Sequence, residues 1–343
     1  MLFMSGFCVT SEHGVPKGRA RDSVQTSESR AGETRMSEGI DIRNHYMMPN
    51  LYTYQSSNIR KTILLMTVFL VLVIALGYIL SLYFGDITIL YIAIAVSIVM
   101  NFAAYWWSDK IALAASGAQA VTREQATDLY RTVENLCITA GLPLPKIHIM
   151  QAEQINAFAT GRNPEHAAIA VTTGALQKLN NEELEGVIAH ELSHIGNRDI
   201  LISSVVVVLA GVITIGSRIF LHSGRLGGGR RKGGELIAIL AIVSAILAPI
   251  AATIIRLAVS RQREYLADTS GALLTRYPDG LANALDKIRR DSSDFPHTHT
   301  ATAHLFIGSP LNEDDTDKPS FFAQLFMTHP PLTDRINRLR NAR

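Results

Sequence analysis

The apolar positions of this chain fall into long uninterrupted blocks separated by polar ground. Residues 62–84 ("TILLMTVFLVLVIALGYILSLYF") and 87–107 ("ITILYIAIAVSIVMNFAAYWW") carry no charged side chain. Each is long enough to cross a hydrocarbon core of about 30 Å as a helix. Only Gly85 and Asp86 lie between them, so 48–107 is expected to form a transmembrane helical hairpin. Tyr105, Trp106 and Trp107 suit a membrane interface. Two further apolar runs, 200–217 and 236–255, are expected as a second helical pair within 200–256. They are shorter, Arg218 follows the first closely and Pro249 interrupts the second. They could span or could be buried core helices of a large domain, and membrane contact is expected.

Outside these blocks the pattern changes. Residues 1–47 are polar and rich in Ser, Thr, Arg and Glu. Burial of so few apolar side chains does not offset the entropy of ordering the segment, so a disordered N-terminal extension is expected. "MLFMSGFCV" has no basic lead and a short apolar run, unlike a signal peptide. Residues 108–199 and 257–343 alternate helical and strand-like patterns and are expected to form one catalytic domain in two sequence pieces. Helix is expected over 122–139, ending at Gly141 and Pro143, then over 182–196, 261–290 and 332–342, with 291–320 a polar loop. "KIHIMQ" (146–151) and "AAIAVTTGAL" (167–176) read as strands. The Gly, Asn and Pro of 155–166 read as a turn between them, which makes the pair antiparallel. The expected fold is mainly α with a small antiparallel β-sheet and transmembrane helices.

Composition sharpens this. Hydrophobic residues make up 48% and charged residues 18% of the 343, more apolar than an ordinary soluble chain. The net charge of +2 gives no reason to expect nucleic acid. Cys8 and Cys137, far apart, make neither a disulfide framework nor a thiolate zinc site. Arg60 and Lys61 precede the first span, the hairpin tip has no Lys or Arg, and Lys110 follows the second span. That bias places residues 108–199 in the cytoplasm. The basic loop 223–234, with Arg225, Arg230, Arg231 and Lys232, opposes it if the second pair also crosses.

The chemistry concentrates in "VIAHELSHIGNRD" (187–199). On a helix, His190 and His194 lie one turn apart on one side and can reach one metal ion. Glu191 is rotated about 100° from His190 by helix geometry. It flanks the ion instead of ligating it, placed to take a proton from water, the H-E-x-x-H arrangement of zinc peptidases. Asn180 or Asn181 can cap this helix, and Leu184, Ile188, Leu192 and Ile195 give it a core face. A catalytic zinc keeps three protein ligands and one open position. The third ligand is best sought in "SRQREYLAD" (260–268), where Glu264 and Asp268 share a helical face. Glu264 can complete the set, and Asp268 can hydrogen-bond a ligand histidine and fix its tautomer. His297, His299 and His304 are rivals from a loop-like stretch.

"HELSHIGNRD", "SRQREYLADTSGA" and "FMTHPPLTDRINRL", after a hairpin of spans, resemble the HtpX-type membrane metalloproteases, relatives of the endopeptidases that process prenylated CaaX proteins. The resemblance covers most of 48–343. It implies a zincin-like domain holding one zinc ion on His190, His194 and Glu264, with Glu191 as general base. It implies that His329 and Arg335 approach the substrate and the developing oxyanion. It also implies that Asn156, Ala157 and Phe158, with Ala159, form an edge strand that pairs with substrate. Implied too are a bacterial cytoplasmic (inner) membrane location, membrane-protein or polypeptide substrates, and a role in quality control and stress. The oligomeric state is left open. Two other classes compete. A non-catalytic membrane scaffold with a structural metal would have no need of Glu191. A transporter would need charged residues lining a pathway, and these segments carry no mid-span Asp, Glu, Lys or Arg.

Overall fold

The computed structural model describes residues 51–211, 260–293, 295, 302–308 and 330–342. Residues 1–47, expected to be disordered, lie outside this set, as do 236–255.

The hairpin is present. Helix α1 runs Leu51–Phe84 and α2 runs Thr88–Trp106, and Gly85 turns the chain at φ +67°. Both are long and apolar enough to cross a membrane. Their outward side chains, Leu64, Val71 and Leu82 on α1 and Ile92, Val99 and Phe102 on α2, are more than half exposed. That is how a lipid-facing surface is built, since lipid replaces the missing protein neighbours. Where the two helices meet, a Cβ on Gly77 would stand 2.2 Å from the Ala93 Cβ, so only glycine permits the approach. Helix α1 is longer than expected. At 34 residues it extends about 51 Å, well beyond the hydrocarbon core, and the surplus lies at its N-terminal end.

Helix α3 (Ser108–Ala115) leads to a four-stranded sheet. The strands are β1 (Gln119–Ala120), β2 (Lys146–Met150), β3 (Ala157–Gly161) and β4 (Ala167–Thr172), in the order β1-β2-β4-β3. Helix α4 (Thr127–Ala140) joins β1 to β2 and ends at Gly141, φ +65°. The sheet is mixed. Strands β2 and β4, expected to be antiparallel, are parallel, with Lys146 opposite Ala168. The intervening residues do not simply turn. They supply β3, antiparallel to β4 with Ala157 opposite Val171, so the chain reverses twice. Every residue of β3 and β4 is buried, so neither strand shows the alternation that betrays a half-exposed strand.

Thr172 caps α5 (Thr173–Lys178), and α6 (Asn181–Gly196) follows. The chain then bends by 85° at Asn197–Arg198, where Arg198 takes φ +58°, into α7 (Asp199–Gly211). The first part of the expected apolar segment 200–217 is thus a helix. Its Leu201, Ile202, Val205 and Leu209 pack on Leu65 and Phe69 of α1 and Ala104 of α2. Residues 261–290 form two helices, α8 (Arg261–Thr275) and α9 (Pro278–Arg290). Arg276 ends the first at φ +54° and Pro278 opens the second. Residues 302–308, expected in a polar loop, are buried except for the half-buried Ala303, and Phe306 stacks edge-on against Phe158 at 5.2 Å. Helix α10 (Leu332–Arg340) closes the fold. One core joins α4, the sheet, α6, α8, α9 and α10 through Val133, Ile169, Ile188, Leu192, Leu285 and Ile336.

Candidate metal centre

Local sequence sets α6 firmly. Asn180 Oδ1 accepts from the Glu183 backbone N–H, and Glu183 returns a carboxylate oxygen to the Asn180 N–H, both at 2.8 Å. This reciprocal cap satisfies two otherwise orphaned donors and fixes the helix phase. Ile188, Leu192 and Ile195 bury one face, and His190, Glu191 and His194 are carried inward near it. Two glycines let neighbouring helices close in. A Cβ on Gly186 would meet the Leu281 backbone nitrogen of α9 at 2.6 Å. One on Gly271 of α8 would meet the His190 nitrogen at 3.0 Å. Glu264 lies seven residues, about two turns, before Gly271, so the close approach brings its carboxylate to the histidines.

His190 Nε2 and His194 Nε2 stand 3.2 Å apart. Glu264 reaches His190 Nε2 at 3.8 Å and His194 Nε2 at 3.7 Å. Tetrahedral zinc with ligands near 2.0–2.1 Å would set its donors about 3.3 Å apart. The three atoms form nearly that triangle, and among the described residues this trio is the group that could hold a metal ion. The tautomers agree. His190 Nδ1 faces Asp268 Oδ1 at 3.0 Å and His194 Nδ1 faces Asp199 Oδ2 at 3.0 Å. With both Nδ1–H groups donated to carboxylates, both Nε2 lone pairs point at one place.

The charges fit a divalent cation. Glu191, Glu264, Asp268 and Asp199 are all buried, as are Arg263 and Arg335. With both histidines neutral and all four carboxyls ionised, four carboxylates against two guanidiniums leave two negative charges that a divalent cation would offset; without metal, protons on His194 and Glu191 take part of that role.

Burial pushes the Glu191 carboxyl up, to about 7, although His194 and the donated Ala159 backbone N–H favour its anion. Burial holds His190 down, to about 4, despite its bond to Asp268. For His194 burial also opposes charge, but the bond to Asp199 and the nearby Glu264 outweigh it and raise the imidazole to about 9. Asp268 feels the same burial, yet the Arg335 charge and the bonds from His190 and Arg335 lower it to about 2. Glu191 and Ala159 line the cavity in front of the trio, together with Arg263, His304, Leu305 and Ile307.

The other expected residues take these places. Asp268 sits behind His190. Arg335 is fully buried, bonds both Asp268 oxygens, and donates to the Ile307 carbonyl at 3.3 Å. It lies behind the ligands, 3.6 Å from Glu264, and is not among the side chains lining the cavity. His304 is buried, with Nε2 against the Ser203 carbonyl at 3.2 Å, outside the ligand trio. His297, His299 and His329 lie outside the described residues. Strand β3 is at the sheet edge, but its outer side is in use. Ala157 O accepts from Ile307 N–H, and the Asn156 side chain exchanges two hydrogen bonds with the Gly308 backbone. Phe158 is buried. Sequence reading gave no role to Asp199, although it stands in the quoted motif. An acidic residue at the start of an apolar run was the available signal, because burial there demands a partner.

Against known proteins, the profile of peptidase family M48 matches residues 123–343. A protease HtpX homolog of Caldanaerobacter subterraneus is 44% identical over 300 residues, covering 85% of this chain and 97% of the relative. One from Pyrococcus furiosus is 46% identical over 284 residues, covering 82% and 94%. Ste24p of S. mikatae shows a partial structural likeness, with 20% identity, a TM-score of 0.36, and coverage of 62% of this chain and 49% of that one.

Proposed function

Starting from the fact that this chain belongs to peptidase family M48 and is a membrane metalloprotease, we propose that it is a zinc-dependent endopeptidase acting on misfolded or unassembled membrane proteins. The observation that carries this reading is the His190–His194–Glu264 triangle with Glu191 on the same helix, facing the same cavity. When bound, zinc supplies Lewis-acid chemistry: it acidifies water and polarises the scissile carbonyl.

The chain's own groups do the rest. Glu191 takes a proton on its carboxylate and returns it to the leaving amine. A carboxyl raised to about 7 is matched to that exchange at neutral pH. Asp268 and Asp199 engage Nδ1 of His190 and His194, so that each neutral imidazole presents its Nε2 lone pair to the metal position. Arg335 holds Asp268 and Glu264 in place from behind, and His329 is the group we assign to the oxyanion. An extended peptide would pair with the outer edge of β3 at Asn156, Ala157 and Phe158, in the place now taken by 302–308.

The site sits beside the membrane, since five residues separate His194 from Ile200, and α7 packs on the hairpin. With the basic bias around the first two spans, this supports a cytoplasm-facing site on a bacterial inner membrane and a part in stress-linked quality control. The test is cleavage of casein and of an unassembled membrane protein by the purified full chain, with and without chelator. Cleavage that survives complete metal removal would defeat the proposal.

A further inference from the structure

The N-terminal turns of α1 do more than precede a span. Asn58 is 2% exposed, and its Nδ2 uses both hydrogens. One goes to Asp199 Oδ1 at 2.6 Å and the other to the Asn197 carbonyl at 3.1 Å. The other oxygen of Asp199 accepts from His194 Nδ1 at 3.0 Å. Thus a chain of two hydrogen bonds runs from the membrane hairpin through one carboxylate to a metal ligand. The amide orientation is forced, because a flipped Asn58 would set its oxygen against the Asp199 anion. One residue turn earlier, Gln55 Nε2 donates to the Gly196 carbonyl at 2.7 Å. Gly196 and Asn197 close α6, whose last carbonyls have no partners within the helix. Helix α1 therefore satisfies the end of the metal-binding helix from outside, and Asn58 alone continues to the metal side. Arg263 Nη1 also approaches Asp199 Oδ1, but at 3.7 Å.

We propose that Asn58 is a positioning residue for the metal site: by orienting Asp199 it holds His194 in its ligating tautomer, so that the transmembrane hairpin sets the affinity of the centre. A hydrogen bond behind a ligand typically governs affinity by roughly 10- to 100-fold. This rests on the trio binding zinc, and the experiment separates the two ideas.

The full chain in detergent micelles is titrated with zinc against a chromophoric chelator. Beside it stand Asn58→Asp, which turns a donor into a carboxyl of the same shape, the milder Asn58→Ser, Asp199→Asn, the double variant, and Gln55→Ala. Unfolding of the metal-free forms is recorded in parallel. The expected result is a zinc affinity lowered roughly 10- to 100-fold in both Asn58 variants. Metal-free unfolding temperatures stay near the parent in Asn58→Ser and Gln55→Ala and fall in Asn58→Asp, whose new carboxyl stands against Asp199; Gln55→Ala keeps parental affinity, and Asn58→Ser costs little more once Asp199 is Asn. Parental affinity in the Asn58 variants would overturn the proposal. So would an equal loss in Gln55→Ala, which would make helix docking the cause. A parent chain that binds no zinc would remove the metal reading itself.

Discussion

Arg335 and Asp268 are joined by two parallel hydrogen bonds, Nε to Oδ2 at 2.9 Å and Nη2 to Oδ1 at 2.7 Å, with both side chains buried. The same Asp268 carboxylate accepts from His190 Nδ1. A residue 145 positions from His190 thereby holds the carboxylate to which His190 donates. Removing one partner of a buried ion pair leaves the other charged and dry, at a cost of about 3–5 kcal/mol. Arg335→Met is expected to lose stability on that scale. Arg335→Lys keeps the charge but not the two-pronged contact, and should fall between Met and parent. Thermal unfolding of the metal-free chain checks the order; equal stability of all three forms would contradict it.

Glu191 shares the cavity with the ligands but is not one of the trio. Glu191→Gln is expected to bind one zinc per chain as the parent does, and to lose proteolysis by roughly 10²- to 10⁴-fold, the usual worth of a general base. Zinc content by elemental analysis beside a casein assay decides it. Undiminished cleavage would remove Glu191 from the general-base role, and a parent that binds zinc but cleaves nothing would favour a structural metal in a scaffold.

The metal-free and zinc-bound chains should respond to pH in opposite ways. His194, raised to about 9 by Asp199 and Glu264 against burial, holds its proton more tightly folded than unfolded. That contribution is complete below the unfolded value near 6.5 and disappears as pH rises through 9. Metal-free stability is therefore expected to decline between pH 6.5 and 9. Zinc must displace that proton, so its affinity should rise over the same window, with release of about one proton. Calorimetry in buffers of differing ionisation enthalpy counts the proton; a count of zero at pH 7.5 would refute the assignment.

Gly186 sits inside α6, where glycine costs about 1 kcal/mol relative to alanine. The structure supplies the reason, since a Cβ there would strike the Leu281 backbone at 2.6 Å. Gly186→Ala is expected to destabilise by about 1–3 kcal/mol despite its better helix propensity. Gly271→Ala, at 3.0 Å from the His190 nitrogen, should be milder in stability. Denaturant unfolding of both variants tests the ranking, and a stabilised Gly186→Ala would show that α9 can yield.

Much of this architecture was legible in the chain itself. The hairpin announced itself as charge-free runs, because a helix in lipid must be apolar all round. The cap at Asn180 and the core face of Ile188, Leu192 and Ile195 were readable because both depend on residues within one or two turns. The sheet was not. Strand β3, "AFATG", is short, of small residues and buried on both faces, so it carried no periodicity, and its Gly161 looked like part of a turn. The φ of +54° at Arg276 leaves no mark in the sequence, but Pro278 two residues on marks the break within 261–290.

Residue order alone determined the ligand helix. Two imidazoles four apart must share a face, whatever surrounds them. It also set the histidine pair close to an apolar run, with five residues between His194 and Ile200. Only the folded molecule decided what completes and aims the centre: Glu264 carried in by the close approach at Gly271, Arg335 turned onto Asp268, and Asn58 reaching Asp199 from 141 residues away. Local spacing constrains groups on one helix through fixed backbone geometry. Partners from different elements meet only where packing brings them, and packing depends on the whole chain.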